Sequence, residues 1–231
     1  IISTHTVGTI MREYCFVINV YKDQELATIL IDRLLDLYPD CVIKVLLDGT
    51  QYTYQHPRVS VKPFERVKIA EYGALWLIRY INEGLLGGCK YIIKIDPDTL
   101  ILDKFMEPPK ADIFGAIIKF PHGSVPTGGI FGMTTEVARR IMADYKYWIG
   151  QSKYKGLAGY PRYTQNIHPH EEIDEQPIII EEIILCDIIK RLGLSVSTWD
   201  GIVNRFRPVY TDKDLIELGK VSAVHPYLGG K

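Results

Sequence analysis

The chain has 231 residues, 47% of them hydrophobic and 24% charged, with a formal net charge of −1 from 27 basic and 28 acidic side chains. That is the balance of an ordinary soluble globular protein with apolar side chain enough for one sizeable core. No basic excess is present to drive phosphate-backbone binding, which argues against a nucleic-acid partner; an anionic small ligand would need a local site made by a few residues or a metal.

In chain order, Cys15-Phe16-Val17-Ile18-Asn19-Val20 is short, apolar and β-branched, and predicts a buried strand. From Asp23 to Leu37 apolar residues recur at helical spacing (Leu26, Ile29, Leu30, Leu34, Leu37), and Tyr38-Pro39-Asp40 stops that helix. Val42 to Leu47 predicts a second strand ending in Asp48-Gly49, and Val59-Ser60-Val61 a minor one. A long helix is expected from about Val67 to Glu83, with Gly84 near its end. Tyr91-Ile92-Ile93-Lys94-Ile95 is the next strand and ends at Asp96-Pro97-Asp98.

Ile113 to Ile118 is another strand, followed by Pro126-Thr127-Gly128-Gly129-Ile130-Phe131-Gly132 and a helix expected from about Thr135 to Trp148. Gly150 to Pro177 is polar, Tyr-rich and without periodicity, the kind of long loop that is functional or disordered. His168 and His170 flank Pro169 inside it and read as solvated or acceptor-facing residues, not a metal pair. Glu181 to Leu192 predicts a helix capped near Gly193, and the chain closes through Ser222-Ala223-Val224-His225. Strands alternating with helices predict an α/β fold with a mainly parallel sheet and right-handed crossovers. Ligands of such sheets bind beyond the carboxyl ends of the strands, where Asn19 to Lys22, Asp48, and Asp96 to Asp98 all fall.

Cys15, Cys41, Cys89 and Cys186 each lie in or beside an apolar run with no CxxC spacing, so buried reduced thiols are favoured over a disulfide framework or a zinc site. That leans toward a reducing compartment. No apolar stretch approaches the ~18 residues that span a bilayer, and the expected location is cytoplasmic. The sequence begins Ile1-Ile2-Ser3 without Met, which leaves room for an upstream segment.

Asp96 and Asp98 are two residues apart, so in extended backbone both carboxylates point to one side. Pro97 has no N–H to give a central strand and favours a turn at the strand end. Two hard oxygen ligands beside open coordination positions suit Mg2+ or Mn2+ better than a closed zinc cage. Cys15 to Val20, Asp48 after the second strand, and Tyr91 to Asp98 together resemble the nucleotide-binding half of GT-A glycosyltransferases, a Rossmann-like single-domain fold with helices flanking the sheet. The resemblance implies that Asp96 and Asp98 hold a divalent cation bridging the two phosphates of a nucleotide sugar. It also implies that the backbone at Asn19, Val20 and Tyr21 and the Asp48 carboxylate contact a nucleoside, often uridine. Asp48 is equally read as the turn residue of Asp-Gly.

Pro126 to Met133, a helix beginning near Glu136, and Glu181-Glu182 opening a helix that ends in Leu192-Gly193 are similar to the inverting β-1,3-galactosyltransferase and Fringe-type pattern. That likeness implies one domain over 1–231, with about 12–105 binding the nucleotide sugar and about 106–231 binding acceptor and carrying catalysis. It puts Glu182 in the place of the general base, beside Glu181, with Glu where the family usually has Asp. Inverting transfer needs a carboxylate to take the acceptor hydroxyl proton, and a helix N-terminus keeps that carboxylate ionised. Without the family layout, both acids read as residues favoured at a helix start. Gly128 and Gly129 allow close approach of substrate to backbone or mark a bulge. His225 matches the late third metal ligand of many GT-A enzymes and is otherwise a structural histidine.

The implied partners are a nucleotide-sugar donor, most simply a UDP-sugar, and a glycan, lipid-linked or small-molecule hydroxyl acceptor. His225-Pro226-Tyr227-Leu228-Gly229-Gly230-Lys231 also resembles the retaining, glycogenin-like GT-A group, which keeps retention as the alternative mechanism. A sugar nucleotidyltransferase would carry a Gly-rich basic loop after strand one, and Asn19-Val20-Tyr21-Lys22-Asp23 has no glycine. A non-catalytic sugar-binding protein is the remaining alternative, because fold does not determine function.

Overall fold

The first predicted strand forms β1 (Arg12–Val20), which is buried from Tyr14 to Val20 because helices cover both faces of the sheet around it. The computed structural model describes residues 12–66, 69–120, 123–151, 181–204 and 221–225. After β1 come α1 (Gln24–Leu37), β2 (Val42–Asp48), β3 (Val59–Phe64), α2 (Ile69–Leu86), β4 (Cys89–Ile95) and β5 (Leu100–Ile101). The second half contributes β6 (Ile113–Phe120), β7 (Gly123–Thr134), α3 (Thr135–Ala143), α4 (Tyr145–Gln151), α5 (Glu181–Leu192), β8 (Val196–Thr198), β9 (Ile202–Asn204) and β10 (Ala223–His225).

Among the described residues, seven strands form the main sheet in the order β3-β2-β1-β4-β7-β6-β8. From β3 to β4 the strands run parallel. β7 then enters antiparallel to both β4 and β6, and β8 is parallel to β6. The result is a mixed α/β, mainly parallel sheet flanked by helices. Period-two alternation splits each central strand between two cores. On β1, Cys15 and Val17 face the core of α2 to α5, and Phe16, Ile18 and Val20 face the core of α1. On β4, Ile92 lies on the α2 side and Tyr91, Ile93 and Ile95 lie on the α1 side. Lys94 therefore shares the face of Ile92.

The α1-side core is aromatic: Phe105 and Phe114 pack on Trp199 with ring centroids 4.7 and 5.0 Å away. Each such pair adds about 0.5–1.5 kcal/mol beyond its buried area. The four cysteines are buried and free, as expected. No described helix is long and apolar enough to cross a membrane.

Several local details differ from expectation. The helix expected over Thr135 to Trp148 is broken at Asp144 into α3 and α4. The break lets the Trp148 indole enter the core and donate to the Ile141 carbonyl at 3.1 Å. Thr134 caps α3 by accepting from the Val137 N–H at 3.2 Å. α2 continues past Gly84 to Leu86, and Gly84 is there for packing, since an added Cβ would lie 2.4 Å from Ile92. Gly150 and Gln151, expected at the start of the polar loop, instead close α4; the rest of that stretch to Pro177, with His168 and His170, lies outside the described residues, as do residues 226–231.

A second, three-stranded sheet has the order β5-β10-β9. β10 is antiparallel to β5 and parallel to β9, with His225 opposite Asn204. The Ser222 carbonyl accepts from the N–H groups of Leu102 (2.9 Å) and Asp103 (3.2 Å). These short pairings carry a late segment of the chain to the carboxyl end of β4.

Candidate functional site

β4 delivers Asp96 and Asp98 at its carboxyl end, where the Thr99 N–H donates to the Asp96 carbonyl at 3.2 Å and turns the chain. Pairing with β7 runs on past Ile95↔Ile130, and the Asp96 N–H donates to the Gly129 carbonyl at 2.9 Å. That register sets Gly128 and Gly129 directly beside the two aspartates. β10 brings His225 to the same point: its Nε2 lies 3.0 Å from Asp98 Oδ1 and 3.5 Å from Asp96 Oδ2. An added Cβ on Gly129 would fall 2.1 Å from His225 Nδ1, so only glycine leaves room for the ring.

On its other edge the imidazole is oriented by Asn204. Asn204 Nδ2 donates to Thr127 Oγ1, and Asn204 Oδ1 lies 3.1 Å from His225 Nδ1. With Asn204 Oδ1 accepting from Nδ1, the Nε2 edge of the ring is turned toward the two carboxylates. One ligand atom each of Asp96, Asp98 and His225 lies within 4.8 Å of the others. Ligands sharing one ion at ~2.1 Å sit about 3 Å apart when adjacent and about 4 Å when opposite. The spacing, the hard oxygen donors and the Asn204 bond to the histidine all fit a divalent cation.

The surrounding charges follow the same geometry. Burial raises the Asp98 carboxyl, but the hydrogen bond and charge of His225, with Lys94 behind, outweigh it and leave Asp98 below the usual range. Asp23, between β1 and α1, is raised by burial and then by the negative charges of Asp98 and Asp96, so a third carboxylate borders the cluster. Lys94 Nζ contacts Asp96 Oδ1 at 2.7 Å and donates to the Gly128 carbonyl.

Glu182, in the first turn of α5, accepts the Gly128 N–H at 3.0 Å on Oε1. Burial pushes its carboxyl up, while backbone donors, Lys94 among the charges, and the Gly128 N–H pull it back. Glu181 is the first residue of α5. The expected acceptor-half residues Gly128, Gly129 and Glu182 thus meet Asp96, Asp98 and His225 at one place.

The expected nucleoside residues lie one and two strands away. Asn19 is in β1 and Asp48 ends β2, both buried. Asn19 Oδ1 has no hydrogen-bond partner among the described residues, and an orphaned buried acceptor costs about 1–3 kcal/mol. Val20 is core, while Tyr21 beyond it is covered by the Arg66 guanidinium, 4.2 Å from the ring centroid. Asp48 lies in the field of Arg79, which stacks on Phe64 at 4.5 Å and Trp76 at 4.8 Å.

Lys94, Asn204, Thr127 and Asp23 were not singled out from sequence. A signal existed only for Lys94, a charged residue inside Tyr91-Ile92-Ile93-Lys94-Ile95, in phase with Asp96 and Asp98. Asn204 becomes a neighbour of His225 only through the pairing of β9 with β10, and Thr127 meets Asn204 from β7.

By sequence, no protein-family model and no curated protein matches the chain. By structure it is similar to the galactosyltransferase LgtC, solved in complex with donor and acceptor sugar analogues, with a TM-score of 0.52 and 12% sequence identity. The superposition covers 93% of this chain and 87% of LgtC. At that identity the likeness speaks to architecture, and with the strand order above it assigns this chain the GT-A type of α/β fold.

Proposed function

We propose that the chain is a metal-dependent glycosyltransferase that moves a sugar from a nucleotide donor, UDP-linked, to a hydroxyl acceptor with inversion. The observation that carries this reading is the meeting of Asp96, Asp98 and His225 at the end of β4, with the Glu182 carboxylate held one glycine away. Mn2+ or Mg2+ bound there would offset the charge that builds on the departing diphosphate. Asp98 and His225 act as its principal ligands, with Asp96 shared between the ion and Lys94. Residues about 12–105 take the donor: Asn19, whose orphaned Oδ1 suits a ribose or base donor, with Val20, Tyr21 and Asp48 around it.

Residues about 106–231 take the acceptor. Gly128 and Gly129 present backbone to the sugar without side-chain obstruction. Glu182 is the base. Its Oε1 is held by the Gly128 N–H, and Oε2 takes the proton of the acceptor hydroxyl as that oxygen bonds to the anomeric carbon. The bond from that carbon to the phosphate oxygen breaks, and its electron pair leaves with the diphosphate. Glu181 positions the helix start or the acceptor.

UDP-hexose turnover, measured with Mn2+ and with a chelator, tests the reading: turnover that needs the ion is expected, and turnover indifferent to the chelator overturns it. Anomeric couplings of the product by NMR separate inversion from the retaining alternative. A nucleotidyltransferase would instead release pyrophosphate from a nucleoside triphosphate and a sugar phosphate, and a sugar-binding protein would turn over neither.

A further inference from the structure

Lys94 is 4% exposed, a burial that lysine accepts only when paired. Its ammonium touches Asp96 Oδ1 at 2.7 Å and donates to the Gly128 carbonyl, and the Tyr80 ring lies 5.5 Å away. Gly128 in turn donates its N–H to Glu182 Oε1 at 3.0 Å. The contacts run in an unbroken line from a metal-ligating carboxylate, through Lys94 and the backbone of Gly128, to the carboxylate assigned as base. We propose that Lys94 is a positioning residue: it fixes the separation between the cation site on β4 and the base on α5 by bracing both against Gly128. The proposal rests on the transferase reading above.

Two arguments set Lys94 apart from a lysine kept for stability. A buried ion pair is commonly replaced by apolar residues of similar volume without loss of stability, and the neighbouring interior positions of β4 are already isoleucine. The main chains of β4 and β7 are also joined without it, through the Asp96 N–H and the Gly129 carbonyl. What Lys94 adds is alignment of side chains, together with a positive charge beside Asp96, Asp98 and Asp23. That charge holds down the affinity of the cluster for a bare cation while keeping Asp96 in place. Its removal should therefore move two properties in opposite directions.

The test uses the full chain, Lys94→Met, and Lys94→Gln, which can still donate to the Gly128 carbonyl but carries no charge. Mn2+ binding is titrated by electron paramagnetic resonance without nucleotide, and kcat and donor KM are measured separately. Lys94→Met should bind Mn2+ several-fold more tightly and keep donor KM within a few-fold. Its kcat should fall ~10- to 100-fold, the range for loss of an orienting partner. Lys94→Gln should show the same gain in Mn2+ affinity and recover part of kcat. An unchanged kcat in Lys94→Met overturns the proposal. So does a fall in Mn2+ affinity in step with kcat and melting temperature in both variants, which would make Lys94 a packing residue. A parent chain that binds no Mn2+ removes the transferase reading, and the proposal with it.

Discussion

The two sides of β4 are built differently. Toward β1, β2 and β3 the sheet is parallel, assembled from neighbouring strand–helix units, and buried almost without interruption from Cys15 to Val20 and from Val42 to Leu47. Toward β7 the sheet turns antiparallel, glycine replaces bulk at 128, 129 and 132, and the contacts that matter join distant parts of the chain. The first side is a shelf held by apolar area. The second is a set of polar groups that hold one another, and so it fails one partner at a time. The difference teaches where a substitution should alter chemistry and where it should alter only stability.

The largest effect is expected on the polar side. Glu182→Gln should lower kcat ~100- to 10,000-fold, the usual loss for a general base. UDP and Mn2+ binding should stay within a few-fold, because the proposed contacts for both lie on the shelf and the Asp–Asp–His group. Steady-state kinetics beside calorimetric titration would check this; a kcat within a few-fold of the parent would reduce Glu182 to a helix-end residue.

Next is the support of the histidine. Asn204→Ala leaves His225 Nδ1 without its partner and should weaken Mn2+ binding ~10- to 100-fold with little change in melting temperature. Gly129→Ala should lose at least as much Mn2+ affinity, since its Cβ would lie 2.1 Å from the ring. Equal Mn2+ affinity in either variant would mean that His225 is not a ligand.

The pH profile sharpens the same contrast. Burial holds the Glu182 carboxyl above its ordinary value, and the base acts as a carboxylate. Turnover should therefore fall as pH drops through that raised value, with the acid limb of kcat lying above the ~4.3 of an unperturbed glutamate. The same raised value means that ionising Glu182 takes stability from the fold as pH rises through it. An acid limb at or below the ordinary value would place the base elsewhere.

The smallest effect belongs to the scaffold. Thr134→Ala removes the cap of α3 and should lower stability by about 1 kcal/mol. Mn2+ affinity should be unchanged, because no contact of Thr134 reaches the aspartates. A drop in affinity would mean that α3 transmits to the site.

The same division governs how much could be read from residues alone. β1, α1, β2, α2 and β4 follow from periodicity and punctuation, because each is decided by its own residues. Asp96 and Asp98 were legible for that reason: an acidic pair after an apolar strand is a local pattern. β5, β8 and β9 were not, since two or three residues carry no period and exist as strands only through their partners. His225 and Glu182 were legible only through resemblance to a family layout. Asn204 had no signal, because its role depends on a pairing with β10 that nothing near it in the chain announces. The break at Asp144 was hidden as well, being set by where the Trp148 indole finds an acceptor.

The pairing of β10 with β5 and β9 has a consequence for biosynthesis. Asp96 and Asp98 leave the ribosome long before His225, with α3 to α5 and β6 to β9 made in between. Synthesis runs at ~5–20 residues per second and domains generally fold as units, so the two aspartates wait on the order of ten seconds for the histidine that completes the candidate cation cluster. Until then the candidate cation site is unfinished. On the proposed reading, capacity to bind the ion tightly arrives in a single late step, when a three-residue strand docks against one made more than a hundred residues earlier.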